Sequence, residues 1–380
     1  MKQRRLLSGT LAVLAILWTA GTAAAQQPRG RGRWTAEQAN AWARQAGWVA
    51  GSNYAPATAI NELEMWQAET WDPRTIDREL GWAQGLGFTT MRVFLHDLAY
   101  RQDPAGFLDR VDQFLAIADR HGIRPMLVLF DAVWDPFPHT GRQRQPVPGL
   151  HNSGWVQAPG VEIVRDSAQW NTLLQPYVKG VIGRFANDRR VLAWDLFNEP
   201  DNTNQGSYGQ FEAPDKVALT TALLARTFGW AREMNPAQPL TAAPWHGDWV
   251  EPGKIEPITR LMLEESDIIT FHSYEPVATL RRQLPPLKAL GRPVICTEYM
   301  ARPRGSTFEA VMPFFKEQGV GAINWGFVAG KSNTIYPWDS WEHKYAAEPP
   351  VWFHDIFRTD GTPYRPAEVE LIRSLTRRSR

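Results

Sequence analysis

The stretch Val191-Leu-Ala-Trp-Asp-Leu-Phe-Asn-Glu-Pro200 has the pattern of a buried β-strand that stops abruptly. Its apolar residues continue through Phe197, and Glu199 appears where the chain must leave the sheet. Pro200 cannot donate a ladder hydrogen bond, so we predict that the strand has ended by this residue. A carboxyl group at the edge of an apolar strand is costly to desolvate and well suited to acid–base chemistry.

A second segment has the same form. Arg292-Pro-Val-Ile-Cys-Thr-Glu298 is an apolar strand that also ends in a glutamate. Cys296 shares the face of Glu298, since side chains alternate along a strand, and we interpret it as a packing residue. Two glutamates that end buried strands are the arrangement needed for hydrolysis of a glycosidic bond.

Strand-like and helix-like segments alternate along the chain outside these two stretches. Eight strands are predicted to start near Trp48, Phe88, Ile123, Val191, Pro239, Asp267, Pro293 and Gly321. Helical patterns cover 35–46, 75–86, 107–121, 167–186, 215–234, 255–265, 277–290, 308–318 and 366–377, the first opening with a capping-box sequence. This order predicts an α/β fold of the (β/α)8 barrel type. A seven-stranded barrel and a doubly wound sheet are the alternatives.

The N-terminus resembles a secretory leader. Lys2, Arg4 and Arg5 precede a short apolar run, and Ala23-Ala24-Ala25 offers a cleavage site. We expect residues 1–25 to be a signal peptide, residues 26–34 a linker, and residues 35–380 one catalytic domain. A membrane anchor is the alternative, but the second half of the leader is weakly hydrophobic. The protein is therefore expected to be secreted or periplasmic, without stable membrane insertion after cleavage.

Composition excludes several classes of function. The formal charge of +1 becomes −2 when the leader and its three basic residues are removed, so nothing indicates a nucleic-acid partner. The single cysteine permits no intrachain disulfide. The eight histidines lack metal-ligand spacing, and no phosphate-binding or dinucleotide motif is present. We expect no metal, no cofactor and a monomer.

Two connections are much longer than is usual for a barrel. They run from 131 to 166 after the third strand and from 327 to 360 after the eighth, and both are rich in aromatic residues. The tryptophans expected to line a groove at this face are Trp134, Trp155, Trp245 and Trp338. Flat aromatic rings suit the apolar faces of sugars, although packing among themselves is the alternative for each of them.

From Gly47 to its C-terminus the chain resembles glycoside hydrolase family 5, the cellulase-like family of (β/α)8 barrels with catalytic glutamates on strands four and seven. The Asn198-Glu199-Pro200 motif and the strand-end Glu298 carry this resemblance. It implies that Glu199 is the acid/base, that Glu298 is the nucleophile, and that the anomeric configuration is retained.

The resemblance also implies roles for residues around the two glutamates. Arg92 on strand two would hold Glu298, and Asn198 would bind the 2-hydroxyl of the sugar. Simple strand alternation cannot aim both Asn198 and Glu199 inward, so we predict a bulge or a distorted end for this strand. In Phe271-His272-Ser273-Tyr274, the tyrosine would hydrogen-bond the nucleophile and the histidine would lie near the acid/base. Trp325 on strand eight would form the floor beneath the sugar that is cleaved.

The chain departs from the family pattern after strand three, where many members carry a histidine. Here the strand ends in Phe130-Asp131-Ala132. His96 is expected to supply an imidazole to the substrate, with His139 and His151 as alternatives. Asn53 and Trp66 are weaker candidates for lining the site.

The sequence thus predicts an exported retaining endo-β-glycosidase that cleaves a β-1,4-linked polysaccharide, of cellulase, mannanase or xylanase type. Two other interpretations use the same residues: a barrel that binds carbohydrate without catalysis, and a transglycosylase. Glucan, mannan and xylan differ by one hydroxyl or hydroxymethyl group, and the loops that recognise such groups vary freely on this fold. The sequence leaves the substrate and the choice between endo and exo action open.

Overall fold

The computed structural model describes residues 30–377, in which eight parallel strands form a nearly closed barrel. The strands are β1 (Ala50–Tyr54), β2 (Thr90–Phe94), β3 (Met126–Val128), β4 (Ala193–Asp195), β5 (Leu240–Thr241), β6 (Ile269–His272), β7 (Val294–Glu298) and β8 (Gly321–Asn324). Their spatial order is β5-β4-β3-β2-β1-β8-β7-β6. The predicted (β/α)8 barrel is therefore confirmed.

Individual hydrogen bonds join β5 to β6 and complete the ring. The strand β5 has only two residues, too few for a regular ladder with β6. The Asp267 N–H donates to the Leu240 carbonyl at 2.8 Å, and the His272 N–H donates to the Pro244 carbonyl at 3.0 Å. The backbone donors at this seam are thus satisfied even though β5 is short.

Helices surround the barrel and also appear in the loops at its mouth. They are α1 (Ala36–Ala46), α2 (Glu62–Trp66), α3 (Pro73–Gly85), α4 (Asp97–Gln102), α5 (Pro104–Arg120), α6 (Val161–Arg165), α7 (Trp170–Phe185), α8 (Lys216–Glu233), α9 (Pro257–Glu265), α10 (Val277–Lys288), α11 (Phe308–Gln318) and α12 (Pro366–Thr376). All the predicted helices are present, with ends shifted by a few residues. The short α2, α4 and α6 were not predicted, because one or two turns show too little hydrophobic periodicity.

Local signals place the helix ends. The Thr35 side chain accepts from the Gln38 N–H and the Gln38 side chain accepts from the Thr35 N–H, so the predicted capping box is confirmed. Gly87, Gly122 and Gly319, which follow α3, α5 and α11, have φ of +73°, +69° and +67°. Glycine adopts this left-handed backbone without strain, which lets the chain turn from each helix into the next strand.

The N-terminal face of the barrel is closed by the segment before β1. Trp34 and Trp42 pack against a small apolar cluster at this end, which includes Ile295 and Ile323. Arg31 forms an ion pair with Asp267 at 2.6 Å and also donates to backbone carbonyls. Residues 31–34 of the predicted linker are therefore anchored to the barrel by arginines and an aromatic ring. Residues 26–29 lie outside the described part.

The predicted signal peptide, residues 1–25, also lies outside the described residues. Within residues 30–377, none of the helices combines the length and the apolar character needed to cross a membrane. Cys296 lies buried in the core, as predicted, and burial raises the pKa of its thiol far above the usual range. This thiol is therefore suited to packing and not to nucleophilic attack.

Candidate active site

The two glutamates predicted at strand ends both lie buried at the mouth of the barrel. Glu298 is the last residue of β7, and Glu199 follows β4 after an irregular extension. That extension stays attached to the sheet, since the Asn198 N–H donates to the Phe130 carbonyl at 2.8 Å. Glu199 then adopts a left-handed backbone with φ of +41°, which breaks the simple alternation of side chains. The distorted strand end predicted from the sequence is thus confirmed.

The two carboxyl groups approach each other beside His272. The imidazole Nδ1 lies 2.8 Å from Glu199 Oε1 and 3.7 Å from Glu298 Oε2. One oxygen of each carboxylate and a ring nitrogen of the histidine all lie within 4.8 Å of one another. At this separation in a buried site, the proton affinity of each carboxylate depends on the charge of the other.

Glu298 is held by a cation and a hydroxyl. Arg92 donates from Nη1 to Oε1 at 2.8 Å, and the Tyr274 hydroxyl donates to Oε2 at 2.7 Å. Burial raises the pKa of Glu298, while the Arg92 charge and the Tyr274 hydrogen bond act in the opposite direction. Both oxygens are therefore fixed in position by donors that favour the ionised carboxylate.

Arg92 also ties together the polar groups at the centre of the barrel. Its guanidinium is completely buried and donates to Asp195 Oδ2 at 3.0 Å, Asn198 Oδ1 at 2.8 Å and Asn53 Oδ1 at 2.8 Å. The ion pair with Asp195 supplies a second negative charge beside that of Glu298. The fork geometry of arginine allows one side chain to orient all of these groups, which lysine could not do.

Glu199 has a different environment from Glu298. Asn202 Nδ2 donates to its Oε2 at 2.8 Å, and His272 contacts its Oε1. Burial, together with the nearby Asp201 charge, raises the pKa of Glu199 to about 7, while the Asn202 hydrogen bond acts in the opposite direction. Burial also lowers the pKa of His272 to about 4, so the imidazole beside Glu199 is neutral near neutral pH. Glu199 can therefore hold a proton under conditions in which most glutamates are ionised.

A cavity of about 540 Å³ opens above the two glutamates. Its walls contain Trp325 and the four tryptophans predicted to line a groove, together with polar groups near the glutamates. The predicted residues that line it are Glu199, Glu298, Asn198, His272, Tyr274, Trp325, Trp134, Trp155, Trp245 and Trp338. Arg92 does not line the cavity and lies beneath it, behind Glu298. An apolar cavity with a few converging polar groups is typical of a small-molecule or sugar site.

His96 is not at this cavity. Its buried side chain caps α4, with Nδ1 accepting from the Leu98 N–H at 3.1 Å. The expectation that His96 contacts the substrate is therefore wrong, because the imidazole is used at a helix end. Of the two alternatives, His151 lines the cavity, whereas His139 lies on an exposed part of the loop after β3.

Asn53 and Trp66, the two weaker candidates, also lie below the site. Asn53 supports Arg92 from β1 and donates from Nδ2 to the Thr297 carbonyl at 2.8 Å. Trp66 is completely buried, and its indole N–H donates to the Phe94 carbonyl at 2.6 Å. Both residues shape the barrel mouth from within the core and do not face the cavity.

Asp131 is a site residue that the sequence reasoning did not identify. It accepts from Trp155 Nε1 at 2.7 Å, from Asn198 Nδ2 at 2.9 Å and from the Val133 N–H at 3.0 Å. Burial raises its pKa to about 6. Its position at the end of the third strand was a usable signal, since that is where a polar site residue was expected in this fold.

Glu62 lies in the same buried region and could not have been found from the sequence. It opens α2, and both carboxyl oxygens are buried without a hydrogen-bond donor among residues 30–377. Burial raises the pKa of Glu62 well above its usual value, and the Asp131 charge raises it further. Burial therefore favours the neutral form of Glu62, which lies near Asp131.

The end of the cavity near β5 is more exposed than the end near Asp131 and Trp155. Trp245 follows β5, and its indole N–H donates to Asp201 Oδ1 at 2.8 Å. His246 is 46% exposed in its side chain and lies 3.2 Å from Asp201 Oδ2. The hydrogen bond that the His246 imidazole donates to Asp201 raises the pKa of His246. Aromatic surface and charge are thus available beside Glu199, at the ends of β4 and β5.

Glu199, His272 and Glu298 could in principle also bring ligand atoms to one cation. Among residues 30–377 they are the group of acidic and histidine side chains that converges closely enough for this. The Arg92 guanidinium already lies 2.8 Å from Glu298 and opposes a second positive charge there. The arrangement fits acid–base chemistry between two carboxyl groups more directly than metal binding.

Comparison with known proteins finds one relative of limited extent. No protein-family model matches the chain. A stretch of 93 residues, 24% of this chain, is 28% identical to the Mannan endo-1,4-beta-mannosidase A of Emericella nidulans. The match spans 22% of that protein, less than a quarter of its length.

Several solved structures share the fold. The exo-beta-1,4-mannosidase from Opitutaceae bacterium strain TAV5 has a TM-score of 0.56 at 18% identity, over 87% of this chain and 60% of that chain. The endo-1,4-beta-D-mannanase from Thermotoga petrophila RKU-1 has a TM-score of 0.54 at 17% identity, over 87% of this chain and 99% of that chain. A GH5_18 protein from Bifidobacterium longum, solved with Manb1-4GlcNAc, has a TM-score of 0.57 at 16% identity, over 87% of this chain and 78% of that chain. At these identities the likeness establishes the (β/α)8 barrel.

Proposed function

We propose that this protein is a retaining β-glycosidase. The observation that carries the proposal is the buried pair Glu199 and Glu298, with carboxyl oxygens within 4.8 Å and different partners. Carboxyl groups about 5–5.5 Å apart are typical of retaining glycosidases, whereas inverting enzymes leave about 6.5–9.5 Å for a water. The short separation supports direct attack by one carboxylate on the sugar.

The first step divides the work between the two glutamates. Glu298, ionised and held by Arg92 and Tyr274, attacks the anomeric carbon and forms a glycosyl ester. The bond from that carbon to the glycosidic oxygen breaks, and Glu199 donates its proton to the departing oxygen. The pKa of about 7 suits Glu199 to this role, since the acid must hold a proton near the working pH.

The second step reverses the roles of Glu199. After the leaving group departs, the ionised Glu199 takes a proton from a water molecule, which attacks the anomeric carbon. The bond to Glu298 breaks, and the carboxylate returns to its contacts with Arg92 and Tyr274. Two inversions at one carbon give net retention of configuration.

Several neighbours are placed to support the sugar during both steps. Asn198 is fixed between Arg92 and Asp131, so its amide has one orientation toward a sugar hydroxyl. Trp325 lines the cavity close to Glu298 and offers an indole face to the apolar side of a pyranose. The complete set of polar contacts around both glutamates supports catalysis over binding without reaction.

We further propose a β-1,4-linked mannoside as the substrate. This choice is supported by the proteins that the chain resembles, which are a mannan endo-1,4-beta-mannosidase, an exo-beta-1,4-mannosidase and an endo-1,4-beta-D-mannanase. The sequence alone left glucan, mannan and xylan open. Recognition of mannose would depend on contacts to the axial 2-hydroxyl, near Asn198 and Asp131.

A panel of manno-, cello- and xylo-oligosaccharides tests both parts of this proposal. We expect release of reducing sugar, fastest from the mannosides, with the β-configured product seen first by NMR. The Glu298→Gln variant is the matched control for contaminating activity. An α-configured first product would refute the retaining mechanism, and transfer products longer than the substrate would favour the transglycosylase interpretation. Absence of cleavage across the panel would refute the glycosidase assignment.

Export is also part of the proposal, on the basis of the leader pattern in residues 1–25. Expression of the full chain should give a mature protein that begins at Gln26 and is found in the periplasm or the medium. N-terminal sequencing of the fractionated protein checks this, and light scattering checks the expected monomer. An uncleaved chain in the membrane fraction would support the anchor alternative.

A further inference from the structure

The cavity above the glutamates is closed on one side by loops that join each other. Its lining residues in the described part of the chain come from the segments after β3 to β8, and the segments after β1 and β2 contribute none. We call residues 147–155 and 332–345 together the wall. The wall crosses the barrel mouth on the side of β1 and β2, because the loops after β3 and β8 meet there.

Backbone hydrogen bonds hold the two parts of the wall together. The Asn152 N–H donates to the Ser332 carbonyl at 2.9 Å, and the Tyr345 N–H donates to the Gly149 carbonyl at 3.1 Å. The backbones are so close at the second contact that a Cβ on Gly149 would lie 1.9 Å from the Tyr345 carbonyl oxygen. The loops therefore form one continuous layer and not two independent flaps.

Side chains strengthen the same junction. Asn333 donates from Nδ2 to the carbonyls of Val147 at 3.0 Å and Leu150 at 3.2 Å. The His151 N–H donates to Ser340 Oγ at 3.0 Å, and the imidazole Nδ1 lies 2.8 Å from the Tyr336 carbonyl oxygen. These contacts span the two loops repeatedly, so opening the wall would require many hydrogen bonds to break at once.

The wall is also fixed to the barrel beneath it. Trp155 is 3% exposed, and its indole N–H donates to the buried Asp131 carboxylate at 2.7 Å. Its ring contacts Phe94 on β2 and Trp325, with centroid distances of 5.3 Å and 5.8 Å. The inner surface of the wall therefore touches the tryptophan proposed to lie under the sugar that is cleaved.

Little space remains behind Trp155. A separate void of about 30 Å³ lies there, between the wall and β1, and both Trp155 and Trp325 line it. A volume of this size holds about one or two water molecules. It is far too small for a sugar ring, so the space in which a second glycone unit would have to lie is filled.

The roles of the glutamates set the direction of the substrate. Glu199 protonates the departing oxygen, so the leaving part of the chain extends past Glu199 toward Trp245 and His246, where the cavity is more exposed. In the proposed mechanism the sugar attacked by Glu298 would lie over Trp325, against the wall, since Glu298, Trp325 and Trp155 line the same cavity. A chain continuing from the other end of that sugar would collide with Trp155.

From this geometry, and resting on the proposed function, we infer that the enzyme acts on chain ends and removes one sugar unit at a time from the non-reducing terminus. The endo mode expected from the sequence would require a groove open on both sides of the glutamates. The wall blocks one side, so only the terminal unit fits between Glu298 and Trp155, while the reducing side of the chain leaves through the open end.

Early products from β-1,4-manno-oligosaccharides of two to six units test this inference. We expect mannose and the substrate shortened by one unit at the start of every reaction, with cello- and xylo-oligosaccharides run in parallel to allow for another sugar. Internal cleavage, seen as early di- and trisaccharides from the hexasaccharide, would overturn this inference and leave the glycosidase assignment intact. No cleavage in any series would overturn both.

Blocked substrates give a second readout on the unmodified protein. A hexasaccharide methylated at the terminal non-reducing 4-hydroxyl should be cut at least 10-fold more slowly, because the methyl group meets the wall. The same hexasaccharide reduced to an alditol at its other end should be cut at the normal rate. Equal rates on the methylated and unmethylated substrates would overturn the inference.

A pair of variants locates the block. Trp155→Ala should open the closed side and yield disaccharide among the early products, whereas Trp245→Ala on the open side should raise KM and still yield monosaccharide alone. Circular dichroism and thermal melting confirm that each variant is folded. Two results would contradict the role of the wall in limiting the product to a monosaccharide. They are early disaccharide from the Trp245→Ala variant, and no disaccharide from a folded Trp155→Ala variant.

Discussion

Glu199 and Glu298 are the same residue type at the end of a strand in the same cavity, yet their surroundings differ. Glu298 receives a guanidinium on one oxygen and a tyrosine hydroxyl on the other. Glu199 receives one amide and faces a neutral imidazole. Burial raises the pKa of both, and to about 7 for Glu199.

The difference shows how one fold gives two carboxyl groups separate roles. Desolvation favours the neutral form of both groups, and the direct hydrogen bonds from Arg92 and Tyr274 oppose that tendency at Glu298. In the proposed mechanism, the acid and the nucleophile are therefore distinguished by partners from β2 and from the end of β6, and not by their own positions at the ends of β4 and β7. Four substitutions, from the largest expected effect to the smallest, test this division.

Glu298→Gln should remove the nucleophile while preserving the shape of the site. We expect kcat to fall by about 10⁵-fold or more on every substrate, because no other group can form the glycosyl ester. Steady-state rates on aryl mannosides and oligosaccharides measure this. Retention of more than a few per cent of activity would show that the nucleophile is a different residue.

Glu199→Gln should remove the proton donor only. On oligosaccharides, whose leaving groups need protonation, we expect kcat to fall by about 10²–10⁴-fold. Formation of the ester from an aryl mannoside with a good leaving group should be much less affected, so burst kinetics should appear as hydrolysis of the ester becomes slow. Added azide should restore turnover and give a β-mannosyl azide. An equal loss on both substrates would contradict the acid/base role.

Tyr274→Phe should weaken the support for the ionised Glu298. A hydrogen bond to a charged group contributes about 1.5–3 kcal/mol, so we expect roughly a 10–100-fold loss in kcat. The hydroxyl lowers the pKa of Glu298, and its removal should move the acidic limb of the kcat/KM profile to higher pH. A pH–rate profile measures both effects. An unchanged acidic limb would indicate that Tyr274 does not act through Glu298.

Asn202→Ala should remove the corresponding hydrogen bond to Glu199. The amide hydrogen bond lowers the pKa of Glu199, so its loss should raise that pKa and move the alkaline limb, set near pH 7, to higher pH. The acid stays protonated over a wider range, and we expect less than about a 10-fold change in kcat/KM at pH 7. The same pH–rate experiment measures this, with Tyr274→Phe as the partner variant. A shift of the acidic limb instead would indicate that Glu199 is the nucleophile and Glu298 the acid/base.

The two sides of the cavity also differ in how far the sequence could predict them. Trp245 on the open side lies directly after β5, whereas Trp155 on the closed side belongs to the layer that the loops after β3 and β8 form together. The tryptophan content of the long loops predicted aromatic walls. It did not predict that the loops after β3 and β8 would join, which depends on backbone contacts between residues far apart in sequence.

The sequence by itself determined the barrel, the two strand-end glutamates and most of their neighbours. Apolar strands, helical periodicity, the capping box at Thr35 and the glycines after helices are all local patterns, so they can be read without a structure. The irregular turn at Glu199 followed from the same reasoning, because simple alternation could not place both Asn198 and Glu199 at the site.

Only the tertiary structure decided which polar groups surround the glutamates and where the cavity ends. Asp131 and Glu62 come together from different loops, His96 turns away to cap a helix, and arginines 31 and 33 anchor a segment whose composition indicated a free linker. Each of these outcomes depends on desolvation and hydrogen bonding between residues distant in the chain. Such contacts leave no periodic signal in a single sequence, because they arise only when the barrel brings its loops to one face.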